Sequence, residues 1–248
     1  MIILSLTLLF LVGMVDVSVS TEAPLLLMGK QFPLDLMGGE FTIHGQPLLI
    51  REQSNSGLGT GTTVWDGSIM LAKYLEARYS TMSGMRVVEV GSGPGVAGIA
   101  AAVLGASVIL TDLNYALPNL RATVDLNSHL YKDGGKPLVG ELDWFSPERC
   151  LLPGILEAQL IVGADVVWIE DLIGPLVRTL AFLSRGEVPV VLAHQTRSTR
   201  GDELLFSELK AVGFEVTSAP KDTHHPHFSS DNINILLLKP HPNLLKEL

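Results

Sequence analysis

Val87-Val88-Glu89-Val90-Gly91-Ser92-Gly93-Pro94-Gly95-Val96-Ala97-Gly98 is the stretch that decides the fold. A β-branched run breaks into closely spaced glycines, and the Ala-rich segment Ile99 to Leu104 follows at once. That order reads as strand, tight turn and helix N-terminus. Glycines without Cβ atoms let a ligand approach the backbone, and the N–H groups opening the helix offer donors and partial positive charge. The stretch therefore predicts a nucleotide-type ligand, and its spacing leaves open which one.

Outward from the motif, strands and helices alternate. Strands are predicted at 86–90, 107–111, 137–141, 160–163, 188–193, 214–218 and 232–238, with helices near 96–105, 116–129, 171–184 and 202–212. This alternation implies a doubly wound, mostly parallel seven-stranded sheet with helices on both faces. Ala219 to Asp231 shows no helical pattern, so the last two strands should pair antiparallel and reverse the C-terminal edge. Upstream, Glu40–Ile43 and Gln46–Arg51 flank His44-Gly45 as a small N-terminal β-hairpin, and Asp66 to Tyr79 reads as an amphipathic helix. The expected organisation is a leader or extension over 1–30 and one domain over 31–248, with the hairpin at 39–52 and a Rossmann-like core at 86–240.

Composition narrows the partners. A net charge of −9 argues against a nucleic-acid surface, which carries a basic stripe. The one cysteine, Cys150, excludes internal disulfides and multi-Cys metal sites. Ile2 to Val15 is almost wholly apolar, in the length range of a signal peptide, but no Lys or Arg precedes it. A signal or anchor, a buried element and a non-native extension all fit it, so a membrane role stays open.

Val108-Ile109-Leu110-Thr111-Asp112 is a second strand ending in a carboxylate, at the position that binds ribose hydroxyls in doubly wound sheets. Gly93-x-Gly95-x-x-Gly98 satisfies the dinucleotide spacing, so Asp112 with the glycines does not separate NAD from S-adenosylmethionine. Three features favour the methyl donor. Glu89 puts an acid beside the glycines, near the cofactor's cationic end. Glu141-Leu142-Asp143-Trp144 ends strand three with an indole that could cover adenine. Gly163-Ala164-Asp165-Val166-Val167-Trp168 places an acid and an aromatic at the carboxyl edge, where such sheets bind ligands.

With Thr63-Val64-Trp65-Asp66 before the first helix, these pieces stand in an order that resembles the seven-β-strand S-adenosylmethionine-dependent methyltransferases, specifically the protein-lysine group called methyltransferase family 16. The resemblance runs from about Phe41 to Lys239. It implies cofactor contacts from Trp65, Gly91, Ser92, Gly93, Asp112, Trp144 and Ala164, beside Glu89 and Gly95 of the glycine turn. Asp165 and Trp168 would shape the lysine channel as the catalytic pair. The family usually carries Asp-x-x-Tyr, and this chain has Trp168, which keeps the aromatic wall and loses a hydroxyl. Arg197 sits where the family often has an arginine, with a structural ion pair as its default role. The implied enzyme is a monomeric, cytoplasmic protein-lysine N-methyltransferase acting on a chaperone, ATPase or elongation factor, without a metal. A small-molecule N-methyltransferase is the alternative. An NAD-dependent oxidoreductase lacks a hydride-transfer set, and a non-enzymatic cofactor-binding module is a third reading.

Overall fold

The fold is taken from a computed structural model that describes residues 30–53 and 60–241. The apolar stretch Ile2 to Val15 lies outside the described residues. Strand β3 (Arg86–Val90) is buried beyond its first residue and lies between β4 (Ser107–Asp112) and β6 (Leu160–Ala164), both parallel to it. A strand with neighbours on both sides and helices on both faces is mostly apolar, and Val87, Val88 and Val90 meet that demand while Glu89 departs from it. Successive side chains point to opposite faces. Val87 accordingly joins the core with Leu71, Ile99 and Leu110, while Val88 joins the opposite core with Leu176, Leu180 and Leu205. By the same alternation Glu89 points to the Val87 face, towards α2 (Val96–Val103).

The sheet order is β5-β4-β3-β6-β7-β9-β8, with β5 at Leu138–Glu141, β7 at Val190–Gln195, β8 at Phe214–Ser218 and β9 at Ile233–Pro240. The chain builds outward from β3 through β4 to β5, then returns to β3's other side with β6. That reversal opens a crevice at the carboxyl ends of β3 and β6. The last strand runs antiparallel to both its neighbours, as expected from the loop before it, and is inserted between β7 and β8.

The helices are α1 (Asp66–Arg78), α2, α3 (Leu117–Leu126), α4 (Glu170–Ser184) and α5 (Thr199–Ala211). α5 starts three residues before its predicted position because the Ser198 side chain caps it, accepting from Gly201 N at 2.9 Å. α3 stops at Leu126, and a short 3-10 turn over Ser128–Leu130 takes up the rest of the predicted span. The hairpin shrinks to β1 (Thr42–Ile43) and β2 (Gln46–Pro47).

With so little ladder of its own, the N-terminal segment is held by side chains of the helices. Asn127 is fully buried and bonds Leu49 through both backbone groups, at 2.9 Å to its N–H and 2.7 Å to its carbonyl. Asn119 donates to the Arg51 carbonyl at 2.9 Å. Both side chains thus pack the N-terminal segment against the helix layer. Lys73 of α1 is 5% exposed, bonded to the Thr42 carbonyl and Glu76, and lies 5.3 Å and 5.1 Å from the Phe41 and Phe228 rings. Phe228 comes from the β8–β9 loop, whose His224 packs edge-on against Tyr74 and whose His225 packs against Phe228. The histidine run thus serves to seat that loop on α1.

Truncating Asn127 to alanine takes the partner from the half-buried Leu49 N–H and carbonyl, at a cost of about 1–3 kcal/mol per group. We expect Asn127→Ala to destabilise the fold by about 3 kcal/mol, a fall in Tm of about 6–12 °C for a domain of this size. Differential scanning calorimetry checks it, and a change under about 2 °C would remove Asn127 as the anchor of this segment.

Candidate active site

The glycine turn is built as its sequence demands. Gly91, Gly93 and Gly95 all take positive φ, at 59°, 55° and 89°. At Gly91 and Gly95 a side chain is also excluded by space. A Cβ on Gly91 would come within 2.9 Å of Val166 Cγ1 and 3.1 Å of Trp144 Cζ2, and one on Gly95 within 2.6 Å of Leu120 Cδ1. Among the described residues, a Cβ on Gly93 would meet the carbonyls of Gly61 and Thr63, at 3.5 and 3.9 Å. A side chain at Gly93 would therefore fill a cradle walled by backbone. Ser92 ties the turn to β4, its N–H donating to the Thr111 carbonyl at 2.9 Å and its hydroxyl accepting from Thr111 N at 3.1 Å.

Asp112 ends β4 beside this cradle. One oxygen accepts from Gly93 N at 2.7 Å and the other from Leu113 N at 2.7 Å. Burial pushes its carboxyl above the usual carboxylate range, and the two N–H donors oppose that shift. The carboxylate is thus fixed in place with lone pairs to spare, as a group that grips a pair of hydroxyls should be. Tyr115, which the sequence did not single out, stands 38% exposed with its hydroxyl 2.6 Å from where a Gly61 Cβ would be. It walls the same cradle, and its one sequence signal is an aromatic three residues after Asp112.

Glu89 is the odd member. It is 2% exposed, and its Oε2 has no hydrogen-bond partner among the described residues. Burial raises its pKa to about 8, the negative charge of Asp112 adds to that, and the nearby Ser92 hydroxyl and Gly98 N–H offset it only in part. Gly98 has no room for a Cβ, which would lie 2.6 Å from Glu89 Oε2 and 2.2 Å from Leu110 Cδ2.

At the end of β6, half-buried Ala164 leads into Asp165, which has φ +51°. A left-handed non-glycine residue is strained and needs surrounding contacts to hold it. Asp165 has them: its N–H donates to the Ala193 carbonyl, Oδ2 accepts from Gly67 N at 2.8 Å, and Oδ1 accepts from Arg197 Nη2 at 3.1 Å. The Asp165 side chain is 3% exposed, and burial raises its pKa against the lowering effect of Arg197. The Arg197 guanidinium in turn lies 5.5 Å from the Trp65 ring. Three separated motifs therefore converge, with Asp165 capping the first turn of α1 and Arg197 bridging it to Trp65. Gly67 must be glycine here, since a Cβ would fall 2.3 Å from Asp165 Oδ2.

Trp168 lies past this clasp, 40% exposed, on a cleft shared with Glu170, Arg197, Ser198 and Asp202. Trp144 brings its indole edge against Gly91 at the glycine turn. So the structure gathers Gly91, Ser92, Gly93, Gly95 and Asp112 in one cradle with Glu89 beneath it, and Trp65, Asp165 and Arg197 in an adjoining clasp that opens on Trp168. No group of His, Cys, Asp and Glu suited to a metal occurs among the described residues.

These residues suit S-adenosylmethionine. Glycines without Cβ atoms leave backbone open to its nucleoside, Asp112 is placed for its ribose, and an orphaned buried carboxyl suits its cationic methionine end. The comparisons agree with the geometry. A lysine methyltransferase family model matches residues 43–212. EEF1A lysine methyltransferase 3 of Mus musculus is 32% identical over 73% of this chain and 76% of its own length. Protein N-lysine methyltransferase METTL21A of Mus musculus is 37% identical over 66% of this chain and 74% of its own length. Among solved structures, magnesium protoporphyrin IX methyltransferase (ChlM) from Synechocystis PCC 6803 with bound SAM shares the fold, with a TM-score of 0.50 at 16% identity over 69% of this chain and 77% of that one. The chain belongs to the lysine methyltransferase family, with S-adenosylmethionine as its methyl donor.

Proposed function

We propose that this protein methylates the side-chain amine of a lysine in a protein substrate, the acceptor class for which its relatives are named. The observation that carries the reading is the adjacency of the Gly93–Asp112 cradle to the Asp165–Arg197–Trp65 clasp, with exposed Trp168 at its mouth. Asp112, Gly91, Ser92, Gly93 and Gly95 would hold the nucleoside, with Trp65, Trp144 and Ala164 bounding the site. The bound cofactor supplies a methyl group on a sulfonium, which moves to nitrogen as its bond to sulfur breaks.

What the chain must do is align and desolvate. A free lysine has a pKa near 10.4 and attacks only after losing a proton to solvent. An indole wall lowers that pKa by excluding water, and its face attracts the ammonium beforehand. Asp165 has both oxygens engaged by Gly67 and Arg197, so its part is to fix the walls of the channel around the amine. Alignment at near-attack distance then supplies most of the rate.

We assign the fold from Gln31 onward to one catalytic domain that acts as a monomer, without nucleic acid, in the cytoplasm. Among the described residues no helix is long and apolar enough to cross a membrane. The test is incubation of the full chain with methyl-labelled S-adenosylmethionine and a cell lysate, followed by acid hydrolysis of the protein fraction. Label recovered as methyl-lysine is the expected result. Label found only in small molecules would replace this reading with a small-molecule N-methyltransferase.

A further inference from the structure

Glu89 is a buried carboxyl without a counter-charge, its only polar neighbours being the Ser92 hydroxyl, the Gly98 N–H and the acid Asp112 among the described residues. It sits on β3 between β4, β6 and α2, and a glutamate there removes an apolar side chain from the core face that Val87 shares. None of the elements around it brings a cation. α2 contains no charged residue, β6 contains none, and β4 offers only Asp112, a second acid. α1, which packs on α2, has its Lys73 engaged by Glu76 and the Thr42 carbonyl. No salt bridge among the described residues reaches Glu89, and its Oε2 is bonded to nothing. Gly98 packs directly on that oxygen, where a Cβ would meet both it and Leu110. A buried charge without a counter-charge costs far more than the neutral acid, so the neutral form is the one that fits.

We infer that Glu89 is protonated in the ligand-free protein and releases that proton to solvent when the cationic methionine end of the cofactor enters, so that cofactor binding and proton release are one event. The O–H bond of the carboxylic acid breaks, its proton goes to buffer, and the resulting carboxylate is balanced by the incoming ammonium. The inference rests on the cofactor site assigned above. It adds that affinity for the donor and its product depends on pH through a residue that never touches the transferred methyl.

The expected magnitudes follow from the raised pKa of about 8 in the free protein. At pH 7 about nine-tenths of Glu89 is protonated, while the ligand's amino-acid amine arrives almost wholly as ammonium, so net release is about 0.8–0.9 proton per cofactor. Affinity should rise about tenfold between pH 6 and pH 7. The sign for the ligand-free protein is opposite. A folded-state pKa raised above the unfolded value gives stability that is full below pH 4.5 and is lost as pH rises through about 8.

The test is isothermal titration calorimetry of the full chain with S-adenosylhomocysteine, in buffers of different ionisation enthalpy at pH 7. Methylthioadenosine, which has no amino-acid end, is the control. Release of about 0.8–0.9 proton with the first ligand and none with the second is expected. The Glu89→Gln variant should bind S-adenosylhomocysteine without releasing a proton. Its Tm should also fall less between pH 5 and 8.5 than the unmodified chain's. Tight binding of S-adenosylhomocysteine with no proton release in the unmodified chain overturns the inference and leaves the site intact, as does equal release from Glu89→Gln. Failure of S-adenosylhomocysteine to bind at all overturns the site assignment itself.

Discussion

Replacing Asp112 by alanine is expected to weaken cofactor binding by at least about 100-fold, because two hydrogen bonds to one charged group contribute about 1.5–3 kcal/mol each. The carboxylate is oriented by Gly93 N and Leu113 N, so nothing else in the cradle can take its place. Asp112→Asn keeps the volume but turns a donor towards one of those N–H groups, and should lie between alanine and the unmodified chain. Calorimetry with S-adenosylhomocysteine reads both. An unchanged Kd in Asp112→Ala would remove this residue from the site.

The second large effect is at Asp165. Its carboxylate caps α1 at Gly67 and pairs with a guanidinium that is 13% exposed. Breaking a buried pair from one side costs about 3–5 kcal/mol, so alanine here lowers stability as well as turnover. Asp165→Asn separates the two, since asparagine tolerates the left-handed backbone that this position takes. It keeps one oxygen for either Gly67 or Arg197 and turns an amide donor at the other. A channel misplaced by about 1 Å costs about 100-fold in rate. We therefore expect Asp165→Asn to lose at least that much methyl transfer into lysate protein, while its Kd for S-adenosylhomocysteine changes less than about threefold. Near-normal turnover in a folded Asp165→Asn protein would show that the clasp is dispensable.

How far the sequence foretold this site depends on what kind of partner each residue found. The central strands were legible because a buried parallel strand must be apolar on both faces, and Val87, Val88 and Val90 say so without help. Gly91, Gly93 and Asp112 were legible as a set because a strand, a turn and an acid at the next strand's end are a local pattern with one geometric solution. Arg197 was rightly read as an ion-pair residue, though its partner, 32 residues away, was not named. Asn127 could not be read, because what it grips is the backbone of Leu49, 78 residues earlier, and backbone leaves no mark in composition. Asp165 was placed correctly at a strand end and given a freer carboxylate than it has. Its engagement depends on Gly67, whose missing side chain carries information only once the N-terminus of α1 is seen beside it.

The strand inserted between β7 and β8 also sets a clock on the making of this protein. All the residues that would hold the cofactor, and the clasp beside them, have been synthesised once Arg197 has emerged from the ribosome. The sheet they rest on is not finished then, because β7 pairs over Val190 to Gln195 with a strand that begins at Ile233, and β8 finds a neighbour only in that same strand. Until the last stretch of chain arrives, β7 presents an unpaired, largely apolar edge to its surroundings, the kind of surface on which chains aggregate. Molecules that stop short of β9 would thus carry the whole site and lack the strand that lets it survive, a liability for the nascent chain that the finished enzyme no longer shows.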